Sequence, residues 1–133
     1  MTVLVIEHNQ ALLQQLVKFI SQHGYRTFGA STVQQAINVY RENLVEVIVV
    51  DAETGNEKGY DIINDLWKKY YPSEAVVIIT THLTNTISAF RSRGIVRYFS
   101  LPIDFHRLEI TLNELYTRVI SHSLLSFVQP VAH

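Results

Sequence analysis

The apolar positions of this chain fall into short β-branched runs, separated by stretches in which apolar residues recur every three or four positions. Val3 to Ile6, Tyr25 to Phe28, Val45 to Val50, Val76 to Ile79 and Val96 to Phe99 each read as a strand. The runs at Val45 and Val76 are apolar almost without alternation, the pattern of strands buried on both faces of a parallel sheet. Leu12, Leu13, Leu16, Val17 and Ile20 keep helical spacing between a cap at Asn9 and a stop at His23-Gly24. Ser31 is the expected cap of a second helix through Val33, Ala36, Ile37 and Tyr40. Gly59-Tyr60 opens a third through Ile62, Ile63, Leu66 and Trp67, ended before Pro72, and the stretch from Ala52 to Lys58, with Gly55 and Asn56, reads as a loop. Asn85 to Arg93, closed by Gly94, predicts a short fourth helix, and Leu108, Leu112, Leu115, Val119 and Ile120 mark a fifth from about Asp104.

Strands alternating with helices predict an α/β fold, because parallel strands need crossover helices and right-handed crossovers cover both sheet faces. The expected architecture is a flavodoxin-like, doubly wound sheet of five parallel strands in the order 2-1-3-4-5 with five helices. Ligands of such sheets bind outside the carboxyl ends of the strands, at the switch point between the first and third. Those strands end in Glu7-His8 and Asp51, and the fourth ends in Thr80-Thr81. A nucleotide or flavin site would need a glycine-rich turn there to present backbone N–H groups to phosphate. The turn from Glu7 to Leu12 has no glycine, which excludes dinucleotide, flavin and P-loop functions.

Composition narrows the field further. The 133 residues suit one domain, expected to span 1–121 with 122–133 as a tail or the start of a linker. A formal net charge of -1 leaves no electrostatic excess to hold nucleic acid or an anionic membrane. The absence of cysteine removes disulfides, thiol catalysis and cysteine-type zinc sites. No signal-peptide pattern and no membrane-length apolar run is evident, so a cytoplasmic location is the expectation. His82, His106, His122 and His133 show no spacing that suggests a site.

The acidic turn at Glu7, Gly24-Tyr25 before the second strand, Asp51 ending the third and Gly59 eight residues later form an ordered set. Thr80, Gly94, Tyr98 and Pro102 continue it. In this order and spacing the chain resembles the receiver domains of two-component response regulators, from Val3 to Val119. The resemblance implies that Asp51 accepts a phosphoryl group from a histidine kinase or phosphotransfer protein, making a signalling domain rather than an enzyme. A carboxylate nucleophile on phosphorus needs cations to offset the charge of the phosphoryl oxygens. By the resemblance, Thr80 binds the phosphoryl group, Tyr98 is the switch aromatic, and Mg²⁺ sits on Glu7, Asp51 and the backbone carbonyl of Glu53. The face around Ile87, Phe90, Arg97, Tyr98 and the start of the last helix is implied as the output surface, with Phe90 and Arg97 largely exposed.

Two positions depart from the family pattern. His8 stands where a second acid is usual, and Leu101 replaces the lysine before Pro102. Imidazole is a poor ligand for a hard cation, so Mg²⁺ is expected to bind weakly or not at all, with a dissociation constant above about 1 mM. Losing the lysine removes a charge that, about 4 Å from an anion at an effective dielectric near 20, is worth on the order of 4 kcal/mol before desolvation. His8 reads as a solvated turn residue more readily than as a metal ligand, and Lys58 is a minor candidate for a substitute cation. The alternative is a phosphorylation-independent receiver-like module that only binds protein. An apolar tail from Leu124 to Val128, if helical, would favour a homodimer or a connection to an output domain. The chain then reads as either a stand-alone receiver or the front domain of a longer protein.

Overall fold

A computed structural model of the chain describes residues 1–54, 57–80 and 95–128. Along the chain run β1 (Thr2–Ile6), α1 (Gln10–Gln22), β2 (Arg26–Ala30), α2 (Val33–Glu42) and β3 (Val47–Asp51). There follow β4 (Glu53–Thr54), β5 (Glu57–Lys58), α3 (Gly59–Lys69), β6 (Ala75–Thr80), β7 (Ile95–Ser100) and α4 (Phe105–Val128). Five parallel strands form one sheet in the order β2-β1-β3-β6-β7, the expected doubly wound arrangement. The helix expected at Asn85 to Arg93 and its stop at Gly94 lie outside the described residues, as do Thr81, His82, Ile87 and Phe90.

Strand periodicity sorts the central residues between two cores. Val3, Val5, Val47, Val49, Ala75, Val77, Ile79 and Phe99 point to one face, where Leu13, Leu16 and Ile20 of α1 and Leu108, Leu112 and Leu115 of α4 cover them. Leu4, Ile6, Ile48, Val50, Val76 and Ile78 point to the other, against Ala36 and Tyr40 of α2 and Ile62, Ile63 and Leu66 of α3. Nearly all of these are fully buried, and each Val, Leu, Ile or Phe among them contributes about 1.5–3 kcal/mol of burial before the entropy cost of ordering. That double burial explains why the central strands lack polar alternation.

Several local expectations shift. The second strand covers Arg26–Ala30 rather than Tyr25 to Phe28, since pairing with β1 sets Thr2 opposite Arg26 and Ile6 opposite Ala30. Thr32, not Ser31, caps α2: its Oγ1 accepts the Gln35 N–H at 3.2 Å, while Gln35 Oε1 reaches back to the Ser31 N–H at 2.8 Å. Asn9 does cap α1, accepting the Leu12 N–H at 3.0 Å, and Gly24 closes it with φ of 89°. The expected loop after Asp51 contains a two-rung antiparallel ladder, Glu53 opposite Lys58 and Thr54 opposite Glu57. The last helix runs without a break from Phe105 to Val128.

Candidate functional site

Sheet register brings the site together. Ile6 pairs with Val50, so the next residues, Glu7 and Asp51, leave the carboxyl edge side by side. Both follow the alternation of Val3, Val5, Val47 and Val49, which turns them toward the face covered by α1 and α4. Glu7 continues the ladder, its N–H donating to Ala30 O at 3.0 Å, and its side chain is carried inward to 1% exposure. Asp51 keeps 13% of its side chain exposed and His8 50%, so the crevice opens on these two.

Hydrogen bonds orient the carboxylates. The Glu53 N–H donates to Asp51 Oδ1 at 2.9 Å, and the Asn9 N–H donates to Glu7 Oε1 at 3.2 Å. Glu7 Oε2 is buried and meets no hydrogen-bond partner among the described residues. Burial, then the neighbouring Asp51 carboxylate, pushes the Glu7 carboxyl up to about 8 against the lowering effect of the Asn9 N–H. Near neutral pH the Glu7 carboxyl of the metal-free protein therefore keeps its proton. His8 Nδ1 lies 3.7 Å from Glu7 Oε1 and 3.9 Å from Asp51 Oδ2. One ligand atom from each of the three residues falls within 4.8 Å of the other two, so the expected solvated His8 faces both carboxylates.

Gly59 holds the floor of this arrangement. Its N–H donates to Ala52 O at 2.7 Å, and a Cβ there would stand 2.5 Å from the Asp51 carbonyl oxygen. The start of α3 can approach the end of β3 only without a side chain, which accounts for glycine eight residues after Asp51. Lys58 is exposed, opposite Glu53 on the ladder that leaves Asp51.

On the other side of the sheet edge, Thr80 ends β6 opposite Ser100 of β7. Leu101 turns into the apolar cluster that also takes Ile103 and Phe105, so the position that carries lysine in the resemblance is filled by core packing. Tyr98 packs on the α2 and α3 face. Arg97, expected to be largely exposed beside it, is half-buried, with its guanidinium Nη1 donating to Val96 O at 3.1 Å; adjacent strand residues face opposite ways. Arg107 was not singled out by the sequence. It reaches from the first turn of α4 to donate through Nη2 to Tyr98 O at 2.9 Å, and its guanidinium sits 4.3 Å from the Phe99 ring centroid. An arginine one turn into a helix after a proline carries no signal of such a reach.

An acidic crevice of this kind can hold a divalent cation and present one carboxylate to an electrophile. Among the described residues no helix is long and apolar enough to cross a membrane. Residues 3–113 match the family described as response regulator receiver domain. A transcriptional regulatory protein ZraR from Klebsiella oxytoca is 26% identical over 126 residues, 93% of this chain but 27% of that protein, so the chain spans about a quarter of the relative's length. A receiver domain protein from Clostridium thermocellum superposes with a TM-score of 0.76 at 26% identity, covering 88% of this chain and 94% of that one. A response regulator from Burkholderia pseudomallei, solved with a phosphorylated aspartic acid, calcium ion and citrate, gives a TM-score of 0.73 at 21% identity over 99% of this chain and 76% of its own.

Proposed function

The chain belongs to the response regulator receiver family of two-component signal transduction, and from that premise we propose that Asp51 is the residue on which it accepts a phosphoryl group. The observation that carries the reading is the pairing of a partly exposed Asp51, held by the Glu53 N–H at 2.9 Å, with a buried Glu7 beside it. The family match does not favour the phosphorylation-independent alternative.

In this reading an Asp51 oxygen attacks the phosphorus of a phosphohistidine on a kinase or phosphotransfer protein. A P–O bond forms as the P–N bond breaks, and the departing imidazole keeps the electron pair and takes a proton. The Glu53 N–H orients Oδ1, and Oδ2 lies on the side of His8, where the crevice opens and the incoming group would approach. The carboxyl groups of Glu7 and Asp51, with the backbone carbonyl of Glu53 that the resemblance adds, are donors that would suit Mg²⁺, while His8 is not. The cation, when bound, offsets charge on the phosphoryl oxygens. Thr80 is assigned to the phosphoryl oxygens and Tyr98 to the response, and the face carrying Tyr98 and the start of α4 to partner or homodimer contact.

Incubation with a small phosphodonor such as acetyl phosphate, followed by intact mass measurement, tests the reading. Wild type is expected to gain one phosphoryl group slowly and Asp51→Asn none. Equal labelling of the two proteins, or no labelling of wild type at any metal concentration, would remove Asp51 from this role.

A further inference from the structure

His8 is the residue that sets this crevice apart, and its position asks which cation the crevice selects. We propose that Glu7, His8 and Asp51 form a three-ligand site for a divalent transition cation that accepts imidazole, represented by Zn²⁺, in preference to Mg²⁺. The inference rests on the same crevice as the phosphoacceptor reading and specifies its metal.

Geometry carries the argument. His8 Nδ1 stands 3.7 Å from Glu7 Oε1 and 3.9 Å from Asp51 Oδ2, and all three ligand atoms fit within 4.8 Å. A tetrahedral ion with bonds of about 2.0–2.1 Å sets neighbouring ligands roughly 3.3 Å apart. An octahedral Mg²⁺ with similar bonds sets them roughly 2.9 Å apart. The observed spacings lie nearer the tetrahedral edge, and a small contraction by the half-exposed His8 ring closes the remainder. Three protein ligands and one open corner is also the usual plan of an accessible zinc site, leaving a position for water or a phosphoryl oxygen.

A second observation points to a missing ligand. Glu7 Oε2 is buried and meets no donor among the described residues, although its companion oxygen accepts the Asn9 N–H. A carboxyl oxygen carried to 1% exposure with no N–H or O–H donor among the described residues leaves a lone-pair position that a cation in the crevice would fill. Donor chemistry then chooses the ion: imidazole nitrogen suits zinc, copper, nickel and iron, whereas Mg²⁺ prefers oxygen and dehydrates reluctantly.

A competing location for such ions exists. His23 Nε2 lies 3.5 Å and His106 Nδ1 3.9 Å from the two oxygens of Glu109, so the test must separate the two places. Calorimetry with Zn²⁺ and with Mg²⁺, alongside NMR of the histidine rings, is run on wild type, His8→Asp, His8→Ala and His106→Gln. Wild type is expected to bind Zn²⁺ at least about 100-fold more tightly than Mg²⁺, with the His8 ring resonances moving on Zn²⁺ alone. His8→Ala should lose this Zn²⁺ site, His8→Asp should reverse the preference toward Mg²⁺, and His106→Gln should leave it intact. Equal affinities in wild type, or undiminished Zn²⁺ binding by His8→Ala, overturns the proposal. Acetyl phosphate labelling of Asp51 without Zn²⁺ selectivity defeats only this inference, and selectivity without labelling in either metal defeats only the phosphoacceptor reading.

Discussion

The main-chain oxygen of Asp51 lies 2.5 Å from where a side chain on Gly59 would begin, so the residue at the end of β3 and the first residue of α3 are locked together by backbone contact. Val50 Cγ2 at 3.2 Å and Ala52 Cα at 3.3 Å close the remaining space around the same point. The orientation of Asp51 thus depends on a residue that donates nothing to its carboxylate.

Gly59→Ala measures that dependence. Alanine in place of glycine near a helix start normally gains up to about 1 kcal/mol. Here the contact reverses the sign, with an expected loss of about 1–3 kcal/mol in denaturant unfolding and a matching fall in acetyl phosphate labelling. A stabilised variant would show that α3 retreats freely from β3.

The buried Glu7 makes metal-free stability depend on pH. Its folded pKa is raised from 4.5 to about 8, so the native state retains a proton that the unfolded chain releases. The contribution is complete below about 4.5 and is lost as pH rises through about 8, with a slope of at most about 1.4 kcal/mol per pH unit. Glu7→Gln should flatten that decline, which thermal melts in a chelator across this range would register. An unchanged slope would assign the dependence to other groups.

Leu101→Lys combined with His8→Asp should raise the rate of Asp51 labelling in Mg²⁺ by at least about tenfold, since one cation and one hard anionic ligand enter the crevice. The same change removes Leu101 from its cluster with Ile103 and Phe105, and should lower unfolding stability by about 1–2 kcal/mol. Intact mass time courses and urea melts on the same preparations check both signs. Wild type labelling as fast as the double variant would mean that the departures at 8 and 101 do not limit the chemistry.

Arg107→Ala removes the bond to Tyr98 O and the contact with the Phe99 ring. The expected cost is about 1 kcal/mol, because the group is exposed. Hydrogen exchange should quicken in β7 before it quickens in β1 or β3, as a clasp on an edge strand would produce. Uniform acceleration across the sheet would indicate a global loss instead.

Much of the fold was legible because its causes are local. The runs at Val45 and Val76 could be buried on both faces only in a covered sheet, and the strand order then set Glu7 beside Asp51. Side-chain direction at strand ends was harder to read. Which of Glu7 and His8 turns inward follows from the phase of Val3 and Val5, yet the approach of the exposed His8 ring to both carboxylates depends on how the turn into Asn9 closes. Thr32 took the cap from Ser31 because two adjacent hydroxyl residues satisfy the same rule and only backbone geometry separates them. Arg107 escaped notice because a long side chain crossing to a strand carbonyl leaves no periodic trace. Arg97 is half-buried because strand alternation turns it to the face opposite Tyr98.

The 24 residues of α4 span about 36 Å at 1.5 Å per residue, whereas a six-residue strand such as β7 covers only about 20 Å. The helix is therefore longer than the strand it is tied to, by about 16 Å. Its first turn is tied to β7 by Arg107, so a rotation of about 5° near that tie would swing the far end by about 3 Å over this length.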